Sequence, residues 1–243
     1  MTTPQNVLDI AKVFINLEEV PENLTPFGRW YSLNGQPWCA MFVSFCTYVT
    51  GMPLPITIDK GFAYCPFGVN WFKEQGRWYP DDPHPGDIVF YDWLSSGEAE
   101  HTGLVESVHD SYIMTIEGNT SDQNDSNGGM VQRRERQRNY TIIGYGRPPY
   151  DGKDIGQLAK DVPPFHDKEI SLSKEPHSSP DVLLWKQQML KRGWKVAEPH
   201  NSAFTSQDKE LLTKFQREMF LEQDGILGLQ SWLLTWLEPI TSD

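Results

Sequence analysis

A chain of 243 residues that is 38% hydrophobic, with 9 Trp, 12 Phe and 9 Tyr, can build one substantial core and a second, smaller one. Its net charge of -12, acidic in both halves, excludes a nucleic-acid binder, and it rules out bulk attraction to anionic membranes or wall polymers. Cys39, Cys46 and Cys65 cannot all pair with one another and show no zinc-ligand spacing, so at least one thiol is expected to be free and a cytosolic origin is favoured.

In chain order, apolar positions Val7, Ile10, Ala11, Phe14 and Ile15 recur at helical spacing and predict an amphipathic helix over 6–17. No basic segment followed by an apolar run opens the chain, and nowhere do eighteen apolar residues run together, so neither Sec export nor membrane insertion is expected. The nearly continuous apolar run 39–49, preceded by Pro37 and closed by Gly51 and Pro53, predicts a buried helix starting at Trp38 or Cys39. Short stretches rich in β-branched and aromatic residues then predict strands over 87–93, 102–108, 112–117, 131–136 and 141–145.

Six prolines and scattered polar residues make 148–180 an expected linker between a domain of residues 1–147 and one of 181–243. Beyond it, Ser179 followed by Pro180 predicts a capped helix with Val182, Trp185, Met189 and Leu190 on one face, stopped by Gly193. Thr205 with Asp208 reads as a capping box for a second helix, and Leu229, Trp232, Leu233 and Trp236 mark a third. Gly225 suits a tight turn before that helix, and Gly228 is expected to permit close approach as it begins.

The chemistry concentrates between residues 36 and 119. A thiol in the first turn of a helix is biased toward thiolate by unpaired N–H groups and the helix dipole, and Cys39 is predicted to stand there. His101 opens a strand-like segment where its imidazole, at the sheet edge, would take the thiol proton. Glu117 and Asn119, two residues apart on the next strand and so expected to face the same way, are both candidates to orient the imidazole. The polar run 121–129, with Asp122, Asn124 and Asp125, misses EF-hand spacing, so no metal is expected there. The arginine-rich segment 133–138 reads as the solvated face of a strand that brushes acidic peptide.

The ordered segments PWCAMFVSFC, GDIVFYDW, HTGLVESV and IEGNTS resemble the CHAP family, the cysteine- and histidine-dependent amidohydrolases and peptidases of phage endolysins and bacterial wall hydrolases, over roughly residues 25–150. That resemblance implies a papain-like α+β fold, with N-terminal helices on an antiparallel sheet. It makes Cys39 the nucleophile, His101 the general base and then acid, Glu117 the imidazole partner and Asn119 an assisting polar group, and it calls for no cofactor or metal. An oxyanion would be held by the Cys39 N–H and a donor from Gln36 or Asn34, with Trp38 or Trp93 near the cleft. No Asp or Glu occurs between Pro26 and Trp38, so the acidic calcium loop of some relatives is not expected.

The segments LLWKQQMLKRGW, LLTKFQREM and DGILGLQSW resemble the helical peptidoglycan-binding domain that often ends wall hydrolases, although of its usual turn between the first two helices only Phe204 remains. Together the two resemblances imply a monomeric hydrolase of a wall amide, either an N-acetylmuramoyl-L-alanine amidase or a peptidoglycan endopeptidase. It would be held in a host cytoplasm until a holin opens the membrane, or exported by a non-Sec route. A non-catalytic wall-adhesion protein, or a cysteine protease or transamidase acting on proteins, would carry the same segments.

Overall fold

The computed structural model describes residues 2–150, 162–173 and 177–238, and the chain divides into two compact units, Met1–Ala159 and Lys160–Asp243. The architecture is α+β. In the first unit, α1 (Pro4–Val13), α2 (Pro26–Tyr31), α3 (Cys39–Val49) and α4 (Cys65–Glu74) precede six strands. These are β1 (Trp78–Tyr79), β2 (Ile88–Tyr91), β3 (His101–Val108), β4 (Tyr112–Thr120), β5 (Met130–Gln137) and β6 (Ile142–Gly146). They form one antiparallel sheet in the order β1-β6-β2-β3-β4-β5.

Helix α1 is shorter than the 6–17 reading. A capping box between Thr3 and Asn6 starts it early, and it ends before Phe14. Helix α3 matches the apolar run residue for residue, because ten of its eleven side chains are buried and neither end needs a polar cap to define it. Two helices fall outside the sequence reading. Pro26 and Thr25 start α2, and Pro66 stands in the first turn of α4. Both are short, and their prolines serve as helix starts.

Alternation along the strands sorts the sheet into two faces. On one, Ile88, Phe90, Leu104 and Ile116 are buried, and Phe90 meets Phe62 and Phe72. There Gly118 lets β4 approach α3, for a Cβ at this position would lie 2.6 Å from the Trp38 ring and 2.8 Å from Phe42. On the other face Val89, Tyr91, Val105, Ile113 and Tyr145 form a cluster, and the polar side chains described below extend it. Trp38 is wholly buried and stacks on Phe27, with its indole N–H donating to Glu19 at 2.7 Å. It is therefore part of the core, and the expectation that it lines the cleft is corrected.

The second unit contains α5 (Pro180–Lys191), α6 (Ser206–Glu218) and α7 (Leu229–Leu237). Ser179 caps α5, and the reciprocal Thr205–Asp208 box caps α6. Within the expected linker, 151–161 and 174–176 lie outside the described residues, whereas 162–173 packs on these helices. Ile170 is fully buried and bridges Leu227, Phe165 stacks on Trp232, and the Trp232 indole donates to the Pro163 carbonyl. Scattered apolar residues in a proline-rich stretch thus complete the small core. Gly225 takes the left-handed conformation that its turn requires, but Gly228 has open space where a Cβ would be, so the close approach expected there is not made.

Lys186 and Asp208 form a buried ion pair at 2.8 Å, with Lys186 also donating to the Ala203 carbonyl. Asp208→Ala strands a charge in the core and removes a cap, so it is expected to lower the stability of this unit by about 3–5 kcal/mol. Adding Lys186→Met should recover much of that loss in denaturant titrations followed by Trp fluorescence. Failure of the second change to recover stability would show that the pair is not the origin of the effect.

Candidate active site

Helix α3 presents Cys39 as its first residue, in the turn whose backbone N–H groups have no intrahelical acceptor. His101 opens β3, which lies between β2 and β4 in the interior of the sheet. The imidazole therefore stands at the end of a central strand. Its Nε2 lies 3.1 Å from Glu117 Oε2, both groups fully buried, so the ring N–H donates to the carboxylate. Nδ1 is buried away from other nitrogen and oxygen groups, and the Cys39 sulfur is the neighbour that acts on the ring by charge and hydrogen bonding. With Nε2 committed to Glu117, Nδ1 is the nitrogen left to exchange a proton with the thiol.

Glu117 is held from every side. Tyr91 and Thr115 hydroxyls donate to Oε1 at 2.9 and 2.6 Å. Arg136 grips the carboxylate in bidentate fashion, Nε to Oε1 at 2.9 Å and Nη2 to Oε2 at 2.6 Å. Gly103 leaves room for this carboxylate's stem, since a Cβ there would sit 2.5 Å from Glu117 Cγ. Trp93 stacks on His101 with ring centroids 5.2 Å apart, and the Arg136 guanidinium lies 5.2 Å from the Trp93 ring. Trp93 therefore covers the imidazole and limits its rotation.

Asn119 does not join this group. Its φ of 59° and a register irregularity between Glu117 and Thr120 break the strand's alternation. Its amide instead donates to Asn127 and accepts from the Gly129 N–H, organising the loop after β4. The two-residue spacing expected to put Glu117 and Asn119 on one face holds only in a regular strand.

The electrostatics follow from these contacts. The Cys39 thiol is held well below its ordinary value, chiefly because Cys65 donates to it. The His101 imidazolium and the Thr102 backbone N–H add to that and outweigh burial. Burial alone would lower His101, but the negative Cys39 and Glu117 raise it to about 9. Burial would raise Glu117, yet Arg136 and His101 hold it well below the usual carboxylate range. Burial pushes the Tyr91 hydroxyl up, with the Glu117 charge adding to it, so it remains a donor. The resting site is thus a thiolate–imidazolium pair backed by a carboxylate.

Beside Cys39 opens a cavity of about 470 Å³, lined among others by Gln36, Tyr64, Cys65, Glu98 and Glu100. Gln36 is exposed and lines this space. Asn34 is committed elsewhere, accepting from the Thr25 N–H at 2.9 Å. The 121–129 loop and the arginine segment satisfy each other: Arg134 pairs with Asp122 and Asp125, and Arg136 pairs with Asp125 as well as Glu117. The alternation does leave Arg133, Glu135 and Gln137 on a solvated face, while Arg134 and Arg136 on the other face are internal partners.

Sequence reasoning missed Cys65, Tyr91, Thr115 and Arg136. Only Arg136 left a signal, as a basic residue in register with the inward positions of its strand.

The site thus joins a thiol at a helix start, an imidazole and a buried carboxylate on an antiparallel sheet. Residues 31–119, which include all three groups, match the family model of the CHAP domain. Among solved structures, the P60 domain of Mycobacterium avium subspecies paratuberculosis antigen MAP1204 is 14% identical with a TM-score of 0.39, covering 59% of this chain and 93% of that one. Ly7917 is 16% identical with a TM-score of 0.40, over 61% of this chain and 63% of that one. No curated protein matches.

The raised His101 and depressed Glu117 set opposite pH dependences. The pairing of His101 stabilises the fold fully below the ordinary imidazole value near 6.5 and is lost as the pH rises through about 9. That of Glu117 is present above the ordinary carboxylate value and is lost only in strong acid, as the pH falls through the depressed one. The thiolate–imidazolium pair therefore persists across neutral pH. Hydrolysis should fall about tenfold per unit above pH 9, as the general acid is lost. Alkylation of Cys39 by iodoacetamide should already be fast near pH 6. A rate still rising above pH 10, or alkylation that begins only near pH 9, would refute the resting ion pair.

Proposed function

We propose that this protein is a peptidoglycan hydrolase that cleaves an amide bond of the bacterial cell wall through a Cys39 thioester. The observation that carries this reading is the Cys39–His101–Glu117 arrangement at the mouth of a cavity, within the segment that matches the CHAP model.

The thiolate would attack the carbonyl carbon, and the oxyanion would be met by the Cys39 N–H and by Gln36. His101 would pass its proton to the departing amine as the C–N bond breaks. The neutral imidazole would then draw a proton from water, whose oxygen attacks the thioester, expels the Cys39 thiolate and releases the new carboxylic acid. Glu117 would remain ionised throughout, holding the ring and stabilising its positive form.

The helical second unit resembles a wall-binding module and would concentrate the enzyme on its polymer, which matters for an acidic chain on an anionic wall. Digestion of purified walls, with mass spectrometry of the soluble fragments, tests the reading. A new L-alanine amine with intact lactyl-muramic ends marks an amidase, and a new amine within the peptide marks an endopeptidase. Walls left intact by freshly reduced protein would overturn it.

A further inference from the structure

The mechanism above gives Cys65 no covalent role, yet its sulfur lies 3.8 Å from that of Cys39. Both thiols are free. Each is the first residue of a helix, α3 of 11 residues and α4 of 10, so two helix N-termini converge on one pair of sulfurs. Both line the same cavity, so a small solute that reaches one meets the other. Cys46, two turns further along α3, is wholly buried and is not among the residues lining that cavity.

A disulfide needs a sulfur separation of roughly 2.05 Å. The two sulfurs are also chemically unequal, as a switch of this kind requires. Cys39 is held low by the Cys65 donor and its imidazolium neighbour, whereas the hydrogen bond to Cys39, together with burial, raises Cys65. One is therefore the attacking thiolate and the other a protonated resolving thiol.

We propose that Cys39 and Cys65 form a peroxide-responsive dithiol site, whose reversible disulfide removes the nucleophile from service. The Cys39 thiolate attacks one oxygen of hydrogen peroxide and the O–O bond breaks. Hydroxide leaves, giving Cys39 sulfenic acid and peroxide reduced by two electrons. The Cys65 sulfur then attacks the sulfenic sulfur, the S–O bond breaks and the S–S bond forms. The Cys65 proton goes to the departing hydroxide as water. An external dithiol reverses the reaction by attacking the Cys65 sulfur, with Cys39, the more acidic thiol, as leaving group. The dithiol chemistry stands on the sulfur pair itself, and only its consequence for wall cleavage rests on the proposed function.

The test exposes the full chain to a small excess of hydrogen peroxide near pH 7.5, then alkylates it under denaturing conditions and maps the peptides. The expected result is a loss of about 2 Da, a Cys39–Cys65 linked peptide and an alkylated Cys46. Clearing of purified walls should fall at least about tenfold and return on reduction with dithiothreitol. In Cys65→Ser the same exposure should add about 32 or 48 Da at Cys39, which dithiothreitol does not reverse. Should that variant fail to fold, the linked peptide in the wild type decides. Cys39 left unmodified, or oxidised to the sulfinic acid in the wild type while Cys65 still alkylates, overturns the proposal. A linked peptide in a protein that clears no walls even when reduced sustains the dithiol site and refutes the hydrolase reading.

Discussion

Cys39→Ala is expected to lower the rate of wall clearing by at least about 10⁴-fold while leaving the fold in place. Among the described residues the thiolate is the group positioned to form the acyl intermediate, and its removal leaves the backbone N–H and the cavity to favour the transition state. Cys65 would not take over. Its sulfur lies 3.8 Å from the position of the missing one, and burial still raises its thiol. Cys39→Ser should be nearly as inactive, because a hydroxyl in that position does not ionise near neutral pH. Far-UV circular dichroism and the unfolding midpoint should match the wild type. Residual clearing within tenfold of the wild type would place the nucleophile elsewhere and would end the hydrolytic reading of this site.

Glu117→Gln is expected to cost about 10²–10⁴-fold in rate and to move the alkaline limb of the pH profile from about 9 toward the ordinary imidazole range. The amide keeps the shape of the side chain but removes the charge that, with the Cys39 thiolate, holds the imidazolium. It also leaves Arg136, which grips that carboxylate through two hydrogen bonds, facing a neutral group. Breaking a buried pair on one side typically costs about 3–5 kcal/mol, so the first unit should also unfold at lower denaturant. The displacement of the pH limb is the decisive readout, because a merely structural role would lower the amplitude of the profile without moving it. An unshifted limb would mean that Glu117 supports the fold but does not set the imidazole. Arg136→Gln offers a milder comparison, since Tyr91 and Thr115 still satisfy one carboxylate oxygen.

The placement of Cys39 was legible in the sequence because it depends on local physics. A run of eleven nearly all buried residues after a proline can only be a core helix, and its first residue has to sit at the helix mouth. The same holds for the strands carrying His101 and Glu117, and for the capped helices α5 and α6, where Ser179 and the Thr205–Asp208 box act within a few residues of one another. Asn119 and Trp38 went the other way. A backbone irregularity turned Asn119 away from the imidazole, and burial against Phe27 took Trp38 into the core. Neither event leaves a trace in residue spacing.

What the sequence determined by itself was the set of elements and the residue types able to carry thiol chemistry, since both follow from periodicity, capping and composition. What only the tertiary structure decided was which side chains meet. Arg136 reaches Glu117 across 19 residues, Tyr91 reaches it across 26, and the same separation lies between Cys39 and Cys65. Those meetings arise from strand order and register and from two helix ends brought to one point, and they are fixed by burying both faces of one sheet at once. Local patterns along a chain contain no record of that packing.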